Sequence, residues 1–104
     1  MKWLWFSRPL FLLGIAMVLG YSGVALAQTP ALEFGVDRPG SDSFSFDMVR
    51  AEPTDCQAVC LLNLDCQAWT FVRPGFQSAN ARCWVKSQVP APRDAPCCVS
   101  GVKQ

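Results

Sequence analysis

The residues of this 104-residue chain with the most chemistry to offer are six cysteines, and they act without any histidine. Cys56, Cys60, Cys66, Cys83, Cys97 and Cys98 give a C-x3-C, a C-x5-C and an adjacent pair. Zinc sites and thioredoxin-like redox motifs use C-x-x-C, which the chain lacks. Histidine, the commonest metal ligand and the usual general base, is missing as well. No metal site and no cofactor are expected. Neither a serine–histidine nor a cysteine–histidine nucleophile can be assembled from this chain alone. Asp37 and Asp42 share one short loop, which invites comparison with a paired-carboxylate site. Aspartates favour such loops for their own backbone hydrogen bonds, so a solvated turn is the expected reading. No catalytic residue is expected.

Charge narrows the partners. The chain carries 9 basic and 8 acidic groups, a formal +1. Lys2 and Arg8 are the only charged residues before Glu33. They precede an apolar stretch from Leu10 to Leu19 and then Ala25-Leu26-Ala27. These are the n-region, h-region and small-x-small cleavage site of a secretory signal peptide. Cleavage after Ala27 is expected, with residues 1–27 as the signal. The rival is an uncleaved anchor, but a spanning helix needs about 20 predominantly apolar residues. Leu10–Ala27 is interrupted by Gly14, Gly20, Tyr21, Ser22 and Gly23. A lipoprotein would need a cysteine where Gln28 stands. Taking 27 from 104 leaves 77 residues with 7 basic and 8 acidic groups, formally −1. That balance argues against nucleic acid, which needs a basic patch. Membrane contact is expected only if the signal stays. The expected location is periplasmic or secreted.

Export would place the cysteines in an oxidising compartment, where bridges are the expected state. Six in 77 residues nears the density of small secreted disulfide scaffolds. A core this small supplies only about 3–5 kcal/mol. Cys97 and Cys98 are the awkward pair. Neighbours on a strand point to opposite faces, so two different partners are expected rather than a bridge to each other.

The elements that must position these groups can be read from periodicity. Residues 28–32 are a flexible lead-in to a domain at 33–104. Residues 33–36 suggest a short strand, and 37–42 a turn-rich loop. Phe44, Phe46 and Met48 alternate with Ser43, Ser45 and Asp47, the period of a half-buried strand. Pro53 suits a first helical position, and Asp55 suits the positive end of the helix dipole. Cys56, Val59, Cys60 and Asn63 fall on one helix face, and Asn63 or Asp65 ends the helix. Residues 66–72 read as a central strand, with Cys66, Ala68, Thr70 and Val72 on one face and Gln67, Trp69 and Phe71 on the other. A loop follows at 73–80. Residues 82–86 form a strand with Cys83 and Val85 opposite Trp84 and Lys86. Residues 87–96, with three prolines, form an extended connection, and a last strand runs from 97 to 102.

Three blocks of sequence together carry a resemblance. The first is Gly35-Val36-Asp37-Arg38-Pro39-Gly40. The second is Cys56-x3-Cys60-x5-Cys66-Gln67-Ala68-Trp69-Thr70-Phe71-Val72. The third is Arg82-Cys83-Trp84-Val85-Lys86, with Cys97-Cys98-Val99-Ser100-Gly101-Val102-Lys103 beyond it. The chain resembles the PAN/Apple domain family in its short bacterial form, over about residues 33–103. The resemblance implies an α+β fold, one α-helix packed on a small antiparallel β-sheet and stapled to it by disulfides. It also implies the pairings Cys56–Cys83 and Cys60–Cys66. The sequence departs from the Apple pattern in having no cysteine at 28–55 for a terminus-to-terminus bridge. Cys56 with one of Cys97 and Cys98, and Cys83 with the other, therefore stays open among fifteen connectivities.

The resemblance implies a non-catalytic binding module for proteins or carbohydrates. The partner is then an unidentified protein or glycan. Binding residues concentrate on loops held by a rigid scaffold, and arginine and aromatics are over-represented at binding hot spots. The candidates are Arg38, Arg73, Phe76, Arg82 and Trp84. Arg73 has the plainer role of bracing its turn, Trp69 and Trp84 that of core residues, and Phe76 that of folding back on the sheet. Two other functions compete. One is a thiol-redox protein using Cys97-Cys98; the other is a structural envelope component that associates through an edge strand.

Overall fold

The computed structural model describes residues 31–104. The expected signal at 1–27, its cleavage site and most of the lead-in lie outside the described residues. No helix among the described residues is long and apolar enough to cross a membrane.

One helix, α1 (Pro53–Leu62), packs on a five-stranded antiparallel sheet of β1 (Glu33–Asp37), β2 (Asp42–Asp47), β3 (Ala68–Val72), β4 (Arg82–Lys86) and β5 (Arg93–Val102). The strand order is β1-β5-β3-β4-β2. This is the α+β fold that the sequence suggests. Pro53 opens the helix, Asn63 closes it, and Cys56 and Cys60 are its buried residues. Both are bridged to the sheet side: Cys56 to Cys83 on β4, and Cys60 to Cys66 just ahead of β3.

The sheet's pairing sorts its residues into two faces. Trp69 and Phe71 lie opposite Val85 and Cys83 on β4, and opposite Gly101 and Val99 on β5. These residues form the core beneath α1, joined at its margin by Phe46 and Met48. Gly101 belongs to this face because a Cβ there would come within 2.6 Å of the Trp69 indole. The other face carries Ala68, Thr70 and Val72, flanked by Trp84 and Lys86 on β4 and by Ser100 and Cys98 on β5.

Three boundaries differ from the sequence reading. The central strand starts at Ala68 rather than at 66. Cys66 is therefore outside the alternation and turns back to Cys60 on the helix side. The last strand starts at Arg93, not 97, because Arg93 and Asp94 pair with Asp37 and Val36 of β1. That long-range pairing overrides the local signal of the prolines. Pro96 is tolerated because the β1–β5 pairing is irregular there: β1 advances from 34 to 36 while β5 advances from 99 back to 94. Proline is confined to such bulges or to edges. Finally, Asp37 and Asp42 are the terminal residues of two strands, so the connecting loop shrinks to residues 38–41.

Candidate ligand-binding cleft

The sheet face away from α1 is not bare. The 38–41 loop folds over one end of it. Gly40 has φ +104°, a conformation that only glycine adopts without strain, and Ser41 follows with φ 59°. Two ties hold this loop down: Ser87 N–H donates to Ser41 O at 2.9 Å, and Lys86 Nζ donates to Gly40 O at 3.2 Å. Arg38 is clamped at its base. Its guanidinium makes two bonds to Glu33, at 2.8 and 2.9 Å, and one to Pro90 O at 2.6 Å. The hydrogen bond to Glu33 outweighs desolvation and holds the Arg38 charge more firmly than usual.

Between this loop and the 73–80 loop lies a cavity of about 280 Å³. Thr70 and Val72 form its floor, Trp84 and Lys86 one side, Cys97 and Cys98 the other, and Asp37, Pro39, Gly40, Asp42 and Gln77 the rim. The floor is rigid. Thr70 Oγ1 and Ser100 Oγ share a hydrogen bond at 2.8 Å, and Ser100 Oγ donates to Val36 O at 2.7 Å. Trp84 is fixed by Nε1–H donating to Gln77 Oε1 at 2.9 Å. Lys86 is only 2 % exposed, and its ammonium pairs with Asp42 at 2.5 Å.

Cys97 and Cys98 are bridged to each other, and this corrects the expectation of two different partners. That expectation rested on the alternation of a regular strand. The pair instead sits in the irregular stretch of β5 opposite Gly35. The four remaining cysteines are already joined on the helix side, which also closes the alternative of Cys56 and Cys83 bridging to this pair. None of the described cysteines is a free thiol.

The candidate binding residues separate. Trp84 lines the cavity. Arg82, two residues earlier on the same face, lies with its guanidinium 5.6 Å from the centroid of the Trp84 ring and bonds Ser45 and Asp47. Arg73 donates to Pro96 O, beside Cys97, and braces the rim. Phe76 does not fold back; it is 57 % exposed, next to Gln77. Arg38 is committed to its clamp. Thr70, Gln77, Lys86 and the paired Cys97–Cys98 escaped the sequence reading as cleft residues. The strand alternation did set Trp84 and Lys86 opposite the core-facing Cys83, but it grouped Thr70 with Cys66, which the structure turns to the helix side while Thr70 pairs with Trp84 on the other face. Nothing local showed that a loop would cover them.

The family model described as PAN domain matches residues 36–86 of the chain. That span runs from the end of β1 to the end of β4 and holds most of the cleft, but not Cys97 and Cys98. No curated protein and no solved structure matches the chain.

Proposed function

The chain belongs to the PAN domain family through residues 36–86, and on that premise we propose that it is an extracytoplasmic, non-catalytic module that binds its partner in the cleft of the open sheet face. Domains of this family are in general binding modules for proteins or carbohydrates. The observation that carries the reading is the cleft itself. A part-exposed tryptophan, a buried ammonium paired with an exposed carboxylate, and a bonded threonine–serine floor converge on one concave site. Binding sites combine apolar walls with a few fixed polar groups in this way. Its polar groups hold one another in place.

The compartment follows from the same chemistry. Disulfide-stapled small domains belong to oxidising surroundings, and residues 1–27 supply the signal that takes the chain there, with cleavage after Ala27. Periplasmic and secreted forms share both features. Mass measurement of the exported protein reads the cleavage directly: loss of residues 1–27 is expected, and retention would make the protein an anchored one.

The test of binding is capture from the extracytoplasmic fraction by the immobilised, oxidised protein. Trp84→Leu should abolish retention of the partner. Leu62→Ser, at an exposed helix position away from the cleft face, should leave it intact. Retention by the Trp84 variant equal to the parent's would remove the cleft from the function.

A further inference from the structure

We propose, building on the binding-module reading above, that the cleft is a subsite for one uncharged sugar ring of a glycan, held between Trp84 and the Cys97–Cys98 bridge. Size comes first. A cavity of about 280 Å³ falls just below the roughly 300–1,000 Å³ of pockets that take drug-sized molecules. One six-membered ring fits that space; an extended peptide does not.

Charge decides the ligand's sign. Each carboxylate at or beside the site has its own cation: Asp42 with Lys86 at 2.5 Å, Asp47 with Arg82 at 2.6 Å, and Asp37 with Arg93 at 3.9 Å. The local sum is zero. A ligand carboxylate would meet Asp37 and Asp42 at the rim. A ligand ammonium would compete with Lys86 and Arg93 for the same oxygens, and Arg82 already holds a position over the Trp84 ring. Burying an uncompensated charge is costly, so a neutral polar ligand fits best.

The distribution of polar and apolar surface then matches a sugar. A pyranose has C–H faces and a hydroxyl edge. Trp84, Val72 and the disulfide sulfurs give apolar, polarisable walls. Asp42 accepts from Lys86 through Oδ1, and its Oδ2 keeps lone pairs for hydroxyl donors. Gln77 uses Oε1 to accept from Trp84, which turns its amide N–H groups toward other acceptors. The site thus offers both acceptors and donors to hydroxyls, on groups already fixed by the fold, which lowers the ordering cost of binding.

The test is an amide and indole NMR titration of the oxidised full chain. The neutral probes are methyl β-glucopyranoside, methyl β-galactopyranoside, methyl α-mannopyranoside and N-acetylglucosamine; glucuronate and glucosamine are the charged ones. At least one neutral probe should give saturable shifts at the Trp84 indole, Thr70 and Cys98. Both charged probes should bind at least about tenfold more weakly, a difference of roughly 1.4 kcal/mol. Trp84→Leu should lower affinity by about tenfold or more, and Gln77→Ala, in the exposed loop, by a smaller factor with the fold intact. Tighter binding of a charged probe overturns the proposal, as does silence of those three signals toward every neutral probe. If the sugars fail while partner capture still depends on Trp84, the binding-module reading stands and the sugar subsite falls. If capture also ignores Trp84, both fall.

Discussion

Lys86 reaches under the 38–41 loop to meet Asp42 at 2.5 Å, and the pair is unevenly buried: the lysine side chain is 3 % exposed and the aspartate 35 %. Removing one partner of such a pair leaves the other charge unpaired, and the cost is large when that remaining charge is shut off from water, as Lys86 is, and small when water can reach it, as it reaches Asp42. Asp42→Asn should therefore cost about 3 kcal/mol, the low end of the usual range because Asp42 keeps some water. Lys86→Met should cost far less. Urea denaturation measures both. Equal losses would mean that the contact, and not the stranded charge, sets the cost.

The three bridges should contribute very unequally. Cys56–Cys83 spans a separation of 27 residues, Cys60–Cys66 of 6, and Cys97–Cys98 of 1. By loop-closure entropy the first stabilises by about 3.5 kcal/mol and the second by about 2.3. The third closes no loop, so its contribution to global stability by this route is negligible. Paired cysteine-to-alanine substitutions should follow that order in thermal unfolding. The Cys97→Ala/Cys98→Ala protein should stay folded and yet lose partner binding, because only that bridge lines the cleft. A large loss of stability on removing Cys97–Cys98 would show that β5 depends on it.

How much of this was legible in the chain depends on whether the cause is local. Pro53, Asp55 and the spacing of Cys56 and Cys60 announce a helix with one bonded face, and α1 runs from Pro53 to Leu62. The alternation at 82–86 separates Cys83 and Val85 from Trp84 and Lys86, and the pairing with β3 keeps that separation. What escaped is set by distant partners. β5 starts at Arg93 because Arg93 and Asp94 pair with Asp37 and Val36 of β1, far away in sequence. Lys86 reads as a solvent-facing strand residue until the 38–41 loop covers it. Cys97 and Cys98 can bridge because a bulge suspends the alternation that would have kept them apart; Gly35 and Pro96 are residues that mark such irregularities, but they do not say which two strands meet there.

Acid should loosen the start of α1. Arg50 makes two bonds to Asp55, at 2.9 and 3.0 Å, across the helix N-terminus. The hydrogen bonds from Arg50 hold the Asp55 carboxyl below its ordinary value near 3.8, despite an opposing desolvation effect. A folded-state value below the unfolded one means the contribution is complete above the unfolded value and fades as pH falls through the folded one. NMR titration should find Asp55 protonating later than an ordinary aspartate as acid is added. Arg50→Ala should return it toward that ordinary value. If it titrates normally in the parent, the pair is open in solution.

Gly101 is the position where a single methyl group should do the most harm for its size. Its own Cβ would lie 2.6 Å from three atoms of the Trp69 ring. That ring is 1 % exposed at the centre of the core, between Val85 on β4 and Gly101 on β5, so it has no free volume to move into. Close-packed interiors resist added volume, and overpacking costs about 1–3 kcal/mol. Alanine ordinarily suits a strand better than glycine, so a destabilised Gly101→Ala would be a tertiary effect and not a backbone one. The double variant separates the two. Trp69→Leu alone should cost about 3 kcal/mol through lost burial and a residual cavity, but with that ring gone Gly101→Ala should add nothing or recover part of the loss. The coupling energy between the two sites, read from four denaturation curves, should then be about 1–3 kcal/mol. A coupling near zero would show that the sheet yields at β5 and that Trp69 does not need the glycine.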